Sequence, residues 1–242
     1  MNDLATIFLS ETVGTAMLLL LGGGVVANVI LAKTKGFSGG WLLISFGWGL
    51  AVFAGVTVSY ASGAQLNPAV TIAQLSLGNI DFVTALVYWA AQMVGAMLGA
   101  TLMYLSYKQH FDAEGDPATK LAVFSTGPAI RSYGWNLITE IIGTFVLVFV
   151  ILAFTRGGTP AELGAIPVAF LVVAIGASLG GPTGYAINPA RDLGPRIMHA
   201  LLPIKGKGTS DWSYAWVPVV GPLVGGVIAA YASNLLLPLA IL

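Results

Sequence analysis

Residues 184–192 read GYAINPARD: an asparagine and a proline set in a long apolar run, followed at once by Arg191 and Asp192. Residues 66–71, LNPAVT, are a partial copy 121 residues earlier, without the charges. Asparagine is favoured just before a helix, because its side-chain oxygen accepts a free backbone N–H there. Proline suits the first helical position, where its missing N–H leaves no bond unmade. Asn67, Pro68 and Ala69, and again Asn188, Pro189 and Ala190, are therefore helix starts. The apolar pieces they open, residues 68–77 and 189–201, span about 15–20 Å at 1.5 Å per residue, too little to cross ~30 Å of hydrocarbon. They read as half-helices that enter a membrane and turn back.

The membrane itself is read from the rest of the chain. Of 242 residues, 57% are hydrophobic and only 8% charged, against about a quarter charged in a soluble domain. Residues 12–32 and 41–80 carry no charge at all. Runs of this length read as bilayer-spanning helices. Six spans are predicted, at residues 7–31, 41–60, 82–107, 135–155, 163–180 and 214–237. The expected fold is an all-α membrane protein of six transmembrane helices plus two re-entrant half-helices.

Composition also sets exclusions. The chain begins MNDLATIFLSE, with Asp3 and no basic stretch, so the first run is expected to stay as an anchor and not be cleaved as a signal. A net charge of zero argues against nucleic acid as a partner. The lack of cysteine removes disulfides and thiolate metal sites. Two histidines, His110 and His199, are too few for a metal site without help from carboxylates, so no metal and no cofactor is expected. No nucleophile–base pair or phosphate loop appears, and an enzyme is the least favoured reading.

The two halves repeat. SETVGTAMLL (10–19) matches TEIIGTFVLV (139–148), which pairs Glu11 with Glu140; SGAQLNPA matches TGYAINPA; GAMLG (95–99) matches GPLVG (221–225). Three spans per half is an odd number, so the second copy must enter from the opposite face. Inverted repeats put their working site at the midplane, where interrupted helices meet. The expectation is a single domain over residues 1–242, with repeats at about 1–110 and 130–242 and a polar loop at 108–134 between them. Gly-x-x-x-Gly pairs at both ends of the repeat read as close helix packing.

Two helix starts in inverted copies meet tip to tip, each tip carrying roughly half a positive charge from its aligned peptide dipoles. Backbone that is not helical at this depth must be buried or line a wet cavity. The glycine-rich approaches ASGAQL and GGPTGYAI offer carbonyls as one polar wall, opposite an apolar wall from the spans. Such a lane suits a small molecule with hydroxyls on one edge and carbons on the other. The plain alternative, that each triplet merely caps a loop helix, does not explain two at equivalent places.

SGAQLNPAVT (62–71) and GYAINPARDLGPR (184–196), with six spans and a glutamate in the first and fourth, resemble the aquaporin or major intrinsic protein family over essentially the whole chain. The resemblance implies one pore per subunit, homotetramers in the plasma (cell) membrane, and passive conduction of water or small neutral solutes with protons excluded. Asp192 after the motif's arginine, Arg196 four residues on, and Pro218-Val219 near the last span are similar to the aquaglyceroporin branch and its glycerol facilitators. That branch implies a selectivity filter of Trp48, Gly176, Tyr185 and Arg191, with Gly176 leaving room beside the arginine. Alternatives within the class are a mainly water-selective channel, or one tuned to protonated lactic acid, dihydroxyacetone or urea. An ion-coupled secondary transporter would need carboxylates at the helix breaks.

Three departures from the family pattern bear on the filter. The segment WGLAV stands one residue nearer the first motif than in close relatives, which leaves Gly47 as an alternative to Trp48 on the pore. Tyr185 stands where well-known facilitators have phenylalanine, and Gln65 where histidine is common. Arg191 needs partners at this depth, expected from carbonyls around Gly184 or from residues 108–134. Glu11 and Glu140 are expected to accept N–H groups of the re-entrant loops in preference to relaying protons, and Asp192 to pair with Arg196 or with loop amides. His199 is placed to cap carbonyls at its helix end. Topology is contradictory. Arg156 is the single basic residue on the side of the termini, so the positive-inside rule puts both termini outside, whereas the resemblance implies termini inside.

Overall fold

The computed structural model describes residues 3–237. The Asp3 carboxylate accepts the Ala5 and Thr6 amides and opens α1 (Leu4–Ile30), which is long and apolar enough to cross a bilayer with Glu11 as its one charged residue. Gly40–Val58 forms α2 and Pro68–Ser76 the first half-helix, α3. Asp81 caps α4 (Phe82–Ser106) through the Thr84 amide. The second half runs in the same order: α7 (Tyr133–Ala153), α8 (Ile166–Leu179), the half-helix α9 (Pro189–Leu201) and α10 (Val217–Leu236).

Packing follows the repeat. Helix α1 packs on α2 and α4 as α7 packs on α8 and α10. The halves interlock, because α3 lies on α10, α9 lies on α4, and α2 meets α8. The Gly-x-x-x-Gly pairs make the close approaches possible. A Cβ on Gly99 would fall 2.3 Å from the Ala16 carbonyl oxygen of α1, and one on Gly225 2.5 Å from that of Ile141 in α7.

Two expectations need correction. Residues 108–134 are not a plain loop. They hold α5 (Lys108–Ala113) and α6 (Pro117–Phe124), the latter capped by Asp116, which accepts from the Ala118 and Thr119 amides. With the Thr119 hydroxyl, these bonds hold the Asp116 carboxyl below its usual range. Phe111 and Phe124 are fully buried against each other and Tyr104, so a few apolar side chains in a polar stretch tie the connector into the core. The fifth span is also shorter than 163–180. Gly164 takes a left-handed conformation after a tight turn at Ala161–Leu163, so the helix starts only at Ile166. Its 14 residues cover about 21 Å.

Arg156 lies just past α7 and donates to the Ser233 and Leu237 carbonyls and to Asn234, closing the C-terminal end of α10. Replacing Gly99 by leucine is expected to destabilise the bundle by about 1–3 kcal/mol or more, because a backbone carbonyl cannot yield as a side chain does. Gly24→Leu, where a Cβ meets nothing closer than Tyr107 at 4.0 Å, is expected to be tolerated. Thermal unfolding of the two variants in detergent checks this.

Candidate functional site: a lane between two half-helices

The half-helices meet tip to tip and brace each other. Asn67 caps α3 by accepting the Ala69 amide at 2.8 Å, and its Nδ2 donates to the Ile187 carbonyl of the other loop at 2.8 Å. Asn188 caps α9 by accepting from the Ala190 and Arg191 amides, and its Nδ2 donates to the Leu66 carbonyl at 2.9 Å. Each asparagine oxygen is thus held by its own helix and one of its N–H groups by the opposite loop. One N–H on each remains for a solute.

The loops before these caps leave ordinary backbone geometry at matching places. Ala64 and Leu66 have positive φ, and so do Tyr185 and Ile187. Left-handed backbone costs a residue with a side chain about 1–2 kcal/mol, so something must hold it. Buried carboxylates do. Glu11 accepts the Gln65 and Leu66 amides at 2.9 and 2.7 Å, together with Ser62 Oγ and Gln92 Nε2. Glu140 accepts the Ala186 and Ile187 amides at 3.0 and 2.8 Å.

The lane has a narrow part and a wide part. The narrow part, about 50 Å³, is lined by Trp48, Tyr185 and Arg191 and reaches Asn67 and Asn188. Beyond the asparagines it opens into a chamber of about 360 Å³. One wall is apolar throughout: Trp48, Val52 and Val56 of α2, Leu147 and Ile151 of α7, Val168 and Val172 of α8, each set spaced four apart on one helix face. The sequence reading named Trp48 but missed the rest; the four-residue spacing was the available signal.

Each expected filter residue can now be placed. Trp48 lies on the lane, and its ring seats against Gly22 of α1, where a Cβ would fall 2.2 Å away. Gly47 turns the other way, toward Val25. The Arg191 guanidinium sits 4.0 Å from the centre of the Trp48 ring. The carbonyls near Gly184 and the 108–134 segment do not take its N–H groups, and among the described residues it donates no side-chain hydrogen bond. The charge rests on the aromatic face, with its donors left for the lane.

Gly176 is not among the residues lining the lane. It backs Tyr185 instead: a Cβ there would lie 2.8 Å from both Cζ and Oη of that ring. The Gly176 carbonyl accepts Trp41 Nε1 at 2.8 Å, and Trp41 meets Tyr185 edge-on. The space left by the missing side chain is filled by the tyrosine.

Asp192 pairs with Arg196, not with Arg191. Its Oδ1 receives Arg196 Nε at 2.8 Å, and both groups are fully buried. Its Oδ2 accepts the amide and hydroxyl of Thr126, each at 2.7 Å. Arg196 also donates to the Thr126, Ser210 and Asp211 carbonyls. The pair therefore fastens α9 to the connector and to the segment before α10. His199 bonds Ser210 Oγ at 2.9 Å rather than a carbonyl of its helix end.

Residues 2–233 match the family described as Major intrinsic protein, and the chain belongs to that family, whose members are channels and not enzymes. The chain is similar to "Glycerol uptake facilitator protein 3" of Lactiplantibacillus plantarum, 53% identical over 236 residues, covering 97% of this chain and 98% of that protein. It is similar also to "Glycerol uptake facilitator protein" of Bacillus subtilis, 54% identical over 222 residues, 91% of this chain and 81% of that one. Among solved structures it resembles the X-ray structure of the aquaglyceroporin from Plasmodium falciparum, with a TM-score of 0.86, 33% identity and 97% of each chain covered. The protein is thus an all-α multi-pass membrane protein of the aquaporin fold, in which five helices are long and apolar enough to cross a bilayer and are joined by the shorter apolar α8 and two half-helices.

Two measurements bear on this site. Glu140→Gln keeps one acceptor but turns an NH₂ toward a loop amide, an expected loss of about 1–3 kcal/mol, read as a lower unfolding midpoint and less conducting protein. Gly176→Ala is expected to push the Tyr185 ring into the lane and lower glycerol permeability more than water permeability in liposomes, with the loss relieved by adding Tyr185→Ala.

Proposed function

We propose that this chain is a passive channel for glycerol and other small neutral solutes, passing water as well and excluding protons and ions. The observation that carries the reading is the two-sided lane. Apolar stripes from α2, α7 and α8 face asparagine N–H groups and the arginine donors. A polyol presents carbons to the first and hydroxyls to the second, and so exchanges its hydration shell for the wall. Two half-helix N-termini and Arg191 make the centre positive, which disfavours cations.

Asn67, Pro68, Ala69, Asn188, Pro189 and Ala190 form the central station in this reading. Trp48, Tyr185 and Arg191 form the filter, with Gly176 setting the tyrosine's position. Glu11, Glu140 and Asp192 hold the loops. The reading takes residues 1–242 as one channel domain of two inverted repeats, assembled as a tetramer in the plasma membrane with the termini inside, as the family resemblance implies. A coupled transporter needs an ion site at the helix breaks; neither Glu11 nor Glu140 lines the lane, since both are turned to loop amides.

Liposomes carrying the protein are expected to take up glycerol and swell at the same rate with or without a proton or sodium gradient. A strict requirement for either ion would replace the channel with a coupled transporter.

A further inference from the structure

Trp41 stands in the first turn of α2, partly exposed, and lines neither part of the lane. A tryptophan at the end of a membrane helix is ordinarily an interfacial anchor, with its indole N–H turned toward headgroups and water. This one is turned inward. Nε1 donates to the Gly176 carbonyl at 2.8 Å, joining α2 of the first half to α8 of the second. The tie fixes the indole where it meets the Tyr185 ring edge-on, with ring centres 5.8 Å apart.

Tyr185 is fixed in its backbone but not, by the same means, in its ring. Its φ is positive, and Glu140 secures the two amides that follow it. The orientation of the ring about its side-chain torsions is set by what packs on it. Two glycines of the α8 end make room for it. A Cβ on Gly176 would fall 2.8 Å from Cζ and Oη, and one on Gly180 would fall 2.5 Å from Cδ1 and 2.8 Å from Trp41 Cζ2. The ring, Gly180 and the indole thus meet at one point. The tyrosine hydroxyl is closed off from solvent, so Tyr185 offers the lane its ring and not its polar end.

We propose that Trp41 is a positioning residue of the filter. It touches no solute. Its indole fills the space into which the Tyr185 ring would otherwise retreat, and so sets the width of the narrow part and the bulkiest neutral polyol that passes. Without the indole the ring withdraws, the lane widens on that side, and a solute broader than glycerol gains most. Glycerol, which already fits, gains less. The inference rests on the channel reading above. Wild-type liposomes that passed no glycerol would sink that reading, whereas the variants below compare two solutes and test Trp41 alone.

The experiment measures the permeability of glycerol and of trimethylolethane, a branched triol, in liposomes carrying wild type, Trp41→Ala, Tyr185→Ala or the double variant, with protein-free liposomes as the baseline. The ratio of the two permeabilities does not depend on how much protein inserts. Trp41→Ala is expected to raise the triol-to-glycerol ratio by about threefold or more. In the Tyr185→Ala background there is no ring to hold, and the same change is expected to leave the ratio as it is, because residues that act through one contact do not add. An unchanged or lower ratio in Trp41→Ala overturns the proposal, and so does an equal rise in both backgrounds. Should Trp41→Ala fail to insert, Trp41→Phe decides, since it keeps a ring against Tyr185 and loses the tie to Gly176. A raised ratio there supports the proposal, and a ratio equal to that of wild type overturns it.

Discussion

Backbone that abandons helix geometry inside a membrane must find a partner for its N–H and C=O groups within the protein or in a wet cavity. This constraint organises the whole molecule. Each loop that leads to a half-helix is held by a buried glutamate, which takes two successive amides beside residues of positive φ. Each loop also gives one carbonyl to the asparagine of the other. Those cross-bonds fix the distance between the tips, and thereby the lane. Polar groups that would be liabilities in lipid become a wall with a few unspent donors.

The two halves answer the constraint differently, which explains why charges follow only one of the two motifs. The second half-helix carries Arg191 to the narrow end of the lane and lies under two outer segments. Asp192 and Arg196, both fully buried, join it to Thr126, Ser210 and Asp211. A buried pair is stable only when its remaining hydrogen-bonding positions are filled, and here they are filled by backbone from both segments. Among the described residues Arg191 forms no ion pair; its guanidinium lies over Trp48, with its donors and its charge directed at whatever passes.

Much of this was legible in the sequence. The doubled Asn-Pro-Ala marked both half-helices, and the second one runs over the expected residues. The matched glutamates could be read as loop acceptors because equivalent acids in inverted copies fit a structural duty better than a one-way relay. What escaped the reading depends on contacts between residues far apart in the chain. Phe111 and Phe124 pull a polar connector into the core, a tertiary effect that local composition hides. Gly176 has no side chain of its own to reveal that Tyr185 occupies its place. The resting position of Arg191 over Trp48 depends on how α9 meets α2, which no local pattern encodes. Arg156, a lone charge in the sequence, serves the last carbonyls of α10, a contact between residues far apart in the chain.

The central claim is that two inverted half-helices, locked together by Asn67 and Asn188, leave one N–H on each asparagine for a solute in the lane. An experimental structure in lipid with glycerol present tests it most directly. The account predicts each Nδ2 within about 3 Å of the opposite loop carbonyl and a solute oxygen at the remaining N–H groups. Half-helix tips drawn apart, or a lane filled by packed side chains between Trp48 and the asparagines, would contradict it.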